Sequence, residues 1–105
     1  MKKNDYSPLV SWRHPGGKLL RLGSDKLSDK ELVAVLVGSG VPGKSAMDIA
    51  DDIFKRFQSY RGMAGQPIEE YKKIKGLKTV KIARIMATFE IAKRIVDEVL
   101  KEQDE

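Results

Sequence analysis

The chain contains no cysteine. No disulfide framework, cysteine-bound zinc site or cysteine nucleophile can be built from it, and a reducing cytoplasm is the compatible and expected location. It has a single histidine, His14. The residues supply no acid/base dyad, triad or metal constellation, so neither catalysis nor a cofactor is expected. No stretch approaches the ~20 apolar residues of a membrane span. Met1-Lys2-Lys3-Asn4-Asp5 carries two lysines with no apolar run behind them, so neither a signal peptide nor a membrane partner is expected. Acidic residues are missing from Tyr71 to Arg84, where six basic ones stand: Lys72, Lys73, Lys75, Lys78, Lys81 and Arg84.

What is present describes one small globular domain. The 105 residues are 41% hydrophobic and 33% charged, enough for one modest core and too ordered in composition for a disordered chain. The formal charge of +5 is a mild bias toward anionic partners, and the basic run gives it a location.

Residues Gly38 to Ser45 read G-S-G-V-P-G-K-S, which fits the phosphate-cradling loop of nucleotide hydrolases. That loop needs a strand before it. Here Ser28 with Glu31 is a capping box that starts a helix, and Gly38 falls where a C-terminal helix glycine belongs. A helix feeding the loop points to two helices joined by a glycine hairpin.

The periodicity gives an all-α chain of about four to five helices. Residues 1–14 read as a poorly ordered leader with Tyr6, Leu9 and Trp12 as anchors, and Pro15-Gly16-Gly17 as a turn. Lys18–Leu22 suits one helical turn closed by Gly23. A helix follows over 29–37. A second, over 46–57, has Ser45 as N-cap and an apolar face of Ala46, Ile49, Ala50, Ile53, Phe54 and Phe57. Its Asp51 and Asp52 point about 100° apart, as a solvated face rather than a metal pair. Gly62 and Gly65 punctuate a connector, a third helix spans 67–73, and Gly76 ends it. The last helix runs from Thr79 to Lys101, with a stripe of Ile82, Ile85, Met86, Phe89, Ala92, Val96 and Leu100. Ile91 and Ile95 lie nearly opposite that stripe. Residues 102–105 read as an acidic tail.

Helix, glycine connection, helix thus occurs twice, around Gly38-Ser39-Gly40 and around Gly76-Leu77-Lys78. With Lys18 to Gly23, Leu27 to Leu32, Gly43-Lys44-Ser45, Ile74 to Leu77 and Lys81-Ile82-Ala83, this order of motifs resembles the N-terminal domain of the RadC family, over roughly residues 13–96. The resemblance implies a tandem helix-hairpin-helix domain over residues 15–101 and a DNA-repair setting. Full-length members of that family also carry a peptidase-like metal domain. No residues here match it, so its hydrolytic chemistry is not carried over.

Two functions follow. The first is sequence-independent binding of DNA phosphates by hairpin amides and basic side chains. The candidate residues are Lys75, Gly76, Leu77, Lys78, Thr79, Lys81 and Arg84 in one hairpin, and Gly38, Ser39, Gly40, Gly43, Lys44 and Ser45 in the other. Lys78 stands where such hairpins usually carry a second glycine; it either replaces an amide contact with a charge or marks a lost phosphate grip. The second function is docking of a protein partner through the last helix. Ile91 and Ile95 decide that reading by their exposure.

Overall fold

Proline is well suited to the first position of a helix, because its missing N–H would have no intrahelical partner there. In the computed structural model, which describes residues 14–104, Pro15 opens helix α1 (Pro15–Leu22) in this way. The turn expected at Pro15-Gly16-Gly17 is therefore the first turn of a helix, and Gly23, at φ +98°, ends it. The leader anchors Tyr6, Leu9 and Trp12 lie outside the described residues.

After a short 3₁₀ turn (Ser24–Lys26), α2 spans Asp29–Val37 and α3 spans Ala46–Phe57. Both begin with the expected N-caps. The Ser28 hydroxyl accepts from the Glu31 amide while the Glu31 carboxylate accepts from the Ser28 amide. Ser45 and Asp48 repeat the arrangement. Each such cap is worth about 1 kcal/mol. The Glu31 carboxylate also receives Lys18 of α1 at 2.9 Å. The Ser28 amide and then Lys18 hold the Glu31 carboxyl below its ordinary range.

Helix α4 (Tyr60–Met63) fills what the sequence marks as a connector, and α5 (Ile68–Lys72) follows. The glycine signal at Gly62 concealed α4, whose start is held by the Ser59 hydroxyl accepting from the Gly62 amide at 2.9 Å. Helix α6, Thr79–Gln103, is the longest; it runs on into the first two residues of the expected acidic tail. Six α-helices and no strand are present among the described residues.

The core is assembled from helices α2 to α6. Val33, Ala34 and Val37 of α2 meet Ile49, Ala50, Ile53 and Phe57 of α3, with Met63, Tyr71, Ile82 and Ile85 closing over them. The largest fully buried side chain is Tyr71. Its ring packs on Phe57 with centroids 4.9 Å apart, and its hydroxyl donates to the Met63 carbonyl at 2.8 Å.

Burial pushes the Tyr71 phenol up to about 12 from 10.0. Between those values the unfolded chain ionises at this residue and the folded chain does not. Stability conferred by the neutral phenol is therefore complete below the unfolded value and declines as pH rises toward the folded one, at about 1.4 kcal/mol per pH unit. Tyr71→Phe is expected to flatten that alkaline decline in urea melts. At neutral pH it is expected to cost about 1–3 kcal/mol, because the Met63 carbonyl loses its donor.

Candidate nucleic-acid interface

The two glycine connections, 31 or more residues apart in sequence, lie against each other. In the first, Pro42 and Gly43 form the corner of a tight turn. The Val41 and Lys44 amides each donate to the other residue's carbonyl at 2.9 Å, and Gly43 takes φ +80°. This is the residue order of a type II turn, with proline first and a positive-φ glycine second. Helix α2 enters this loop and α3 leaves it. The strand that a nucleotide-hydrolase loop requires is replaced by a helix.

The loop is stitched to the second connection by two lysines acting in opposite directions. Lys44 reaches across to the Lys75 carbonyl at 2.7 Å while pairing with Asp52 at 2.5 Å. Lys81, on the first turns of α6, donates back to the Ser39 carbonyl, with the Ser39 hydroxyl at 3.4 Å. Gly76, at φ +89°, packs between them. A Cβ there would stand 3.2 Å from both Ile49 and Val41 side-chain carbons.

This arrangement sorts the thirteen candidate residues. Several are engaged within the chain. The Gly38 amide closes α2 on the Ala34 carbonyl. Ser45 caps α3. Leu77 is buried, and its amide donates to the Ile74 carbonyl. Gly40 is pressed against the backbone of Lys44 and Ser45. Ser39, Lys44 and Lys81 form the links just described.

The others face outward. Lys75, Lys78, Thr79 and Arg84 are exposed. Lys75, Lys78 and Arg84 form no ion pair with any described residue, and neither does the neighbouring Lys72. Helix α6 starts at Lys78 without any side-chain cap and without an acid in its first turn. Its leading amides are thus open, at the end of the helix that carries partial positive charge.

Elsewhere the acids hold cations of their own. Lys30 and then Lys55 keep the Asp51 carboxyl below its ordinary range. Arg56 and then Lys73 do the same for Glu70. Asp51 and Asp52 thus serve different cations, and no group of three or more potential metal ligands occurs among the described residues.

A second surface is apolar. Every residue from Glu90 to Leu100 is exposed, Ile91 to 60% and Ile95 to 56%. Val96 and Leu100, assigned to the core stripe by periodicity, are also more than half exposed. Only the first half of α6 reaches the core, through Ile82 and Ile85. Helical spacing could show that these residues share a face, but not that α6 outruns the body it packs on. No described helix is long and apolar enough to cross a membrane.

Residues 10–83 fit the sequence pattern of the UPF0758 N-terminal family. The chain is 39% identical over 90 residues to a UPF0758 protein of Alteromonas mediterranea, covering 86% of this chain and 40% of the relative. It is 37% identical over 97 residues to one of Bordetella pertussis, covering 92% of this chain and 43% of the relative. The chain spans about two fifths of the length of these curated relatives. No solved structure matches it.

Proposed function

The chain belongs to the UPF0758 N-terminal family, the RadC-related group, a membership consistent with a DNA-repair setting, and from that premise we propose that it binds the phosphate backbone of DNA through the start of α6. The observation that carries this reading is the uncapped α6 N-terminus bordered by Lys75, Lys78 and Arg84, none of them in an ion pair with a described residue. Open amides and a helix dipole favour an anion, and flexible lysines around them add charge without base selectivity. The first connection acts as a brace: its own lysine and serine hold the second in place.

Fluorescence anisotropy with unrelated duplex and single-stranded oligonucleotides tests this. If three phosphates are engaged, affinity falls about 40-fold on duplex and about 20-fold on single strands between 50 and 200 mM salt, whatever the sequence. The triple variant Lys75→Glu, Lys78→Glu, Arg84→Glu is expected to lose more than ~10-fold in affinity at the lower salt and to flatten the salt slope. Unchanged affinity and slope in that variant would remove the assignment. Lys81→Gln is the contrast: it should lower thermal stability and, by loosening the brace, affinity, while leaving the salt slope unchanged, since Lys81 braces the loops.

The exposure of Ile91 and Ile95 supports a second reading, in which α6 docks a protein.

A further inference from the structure

Helices α1, α2 and α6 leave a cleft of about 410 Å³ between them. Leu19 forms one wall, Leu32 and Leu36 a second, and Ile85, Phe89 and Ala92 the third. Two hydroxyls border it, and both are turned to backbone. Thr88 donates to the Arg84 carbonyl at 2.8 Å, and Tyr60 points to the Asp29 carbonyl at 3.4 Å. The walls therefore offer apolar contact and almost no hydrogen bond, so what fits there is an apolar side chain.

The direction in which the backbone enters α1 says where that side chain comes from. Pro15 is buried and stands one turn ahead of Leu19, so both lie on one face of α1. The backbone thus meets α1 on the side that faces the cleft. His14 is extended, with φ −80° and ψ 132°, as a following proline favours.

Residues 10–13 read Val-Ser-Trp-Arg and lie outside the described residues. Apolar and polar alternate along them. In an extended segment residues two apart share a side, which groups Val10 with Trp12 and turns Ser11 and Arg13 the other way. An extended chain covers at most about 3.6 Å per residue, so Trp12 stands within about 11 Å of Pro15. One helical turn, about 5.4 Å, separates Pro15 from Leu19, and the cleft is within reach of Trp12. The UPF0758 N-terminal pattern begins at residue 10, so it includes this segment with the helices and leaves out residues 1–9.

We propose that residues 10–13 lie across the cleft, with the Trp12 indole packed against Leu19, Leu36 and Phe89. An indole suits the position, because its large apolar body fills the cleft while its single N–H stays at the open side in water. Ordering four residues costs conformational entropy, and burial of the indole against three helices offsets it. The segment ties α1, which the Lys18 ion pair holds to α2, to α6 as well. The inference stands apart from DNA binding, since the cleft and the start of α6 use different residues.

Trp12 is the chain's single tryptophan, so intrinsic fluorescence reads this one side chain in the unaltered protein. In native buffer its emission is expected at shorter wavelength than in urea, with several-fold weaker quenching by acrylamide. Location is read separately. In this cysteine-free background, Ala92→Cys at the cleft edge and Lys101→Cys farther out on α6 can each carry a bimane, a dye that tryptophan quenches only at close range. The label at position 92 should be several-fold dimmer than the same label combined with Trp12→Leu. The label at position 101 should not respond to that substitution.

A Trp12 as open to acrylamide in native buffer as in urea would overturn the proposal. A shielded Trp12 that leaves the label at position 92 bright would overturn it too, placing the indole on another surface. Shielding that disappears on dilution would give the cleft to the same segment of a second copy instead.

Discussion

Gly40→Ala is expected to unfold this protein or leave it destabilised by more than ~3 kcal/mol, a size reserved for changes that force backbone to move. A Cβ at Gly40 would stand 2.0 Å from the Lys44 carbonyl oxygen and 2.8 Å from two backbone atoms of Ser45. Neither neighbour can yield locally. The Lys44 carbonyl accepts from the Val41 amide across the tight turn, and Ser45 is fixed as the cap of α3. Moving either opens the turn, the cap, or the Lys44 link to Asp52 and Lys75. Gly43→Ala offers a graded comparison. Its Cβ would meet nothing within 4 Å, although φ is +80°, so only the left-handed strain of about 1–2 kcal/mol applies. Urea denaturation of both variants checks the ordering. A Gly40→Ala protein as stable as Gly43→Ala would mean that the loop does not close as described.

Ile49→Ala is the second large effect, expected to cost about 2–5 kcal/mol in the same assay. Ile49 is fully buried at the start of α3, and its side chain lies under Gly76. Its removal leaves a cavity beneath the junction of the two connections. Collapse is resisted on one side by the Pro42-Gly43 turn and on the other by Lys81 bound to Ser39. The consequence extends beyond stability. Loosening this junction should also weaken DNA binding, because the brace that positions Lys75 and the start of α6 rests on it. Ile53→Ala, equally buried and one turn farther along α3, should lose comparable stability with less effect on affinity. Anisotropy measured well below both melting temperatures separates the two.

Local signals in the sequence were sufficient for much of the architecture. Ser28 with Glu31 and Ser45 with Asp48 fix where α2 and α3 begin, because a cap involves only residues three apart. Spacing of Ile49, Ile53 and Phe57 fixes the buried face of α3 for the same reason. Composition was less reliable where a residue has two local uses. Pro15 serves a helix start as readily as a turn, and Gly62 sits inside α4 because the Ser59 hydroxyl satisfies its amide.

The candidate interface was legible as a set of residues but not as a division of labour. Nothing within a few positions of Lys44 or Lys81 says that each would reach a carbonyl of the other connection. Those contacts join residues 31 and 42 apart in sequence. Likewise Leu77 and Lys78 are neighbours, yet one enters the core and the other stays in solvent. The sequence by itself determined α2, α3, α5 and α6, their apolar residues and the basic run, all of which depend on periodicity, short-range capping or composition. Tertiary structure alone decided which lysines brace the loops and which are free. It also decided that the apolar face of α6 continues beyond the body that could cover it, since burial depends on where helices end relative to one another.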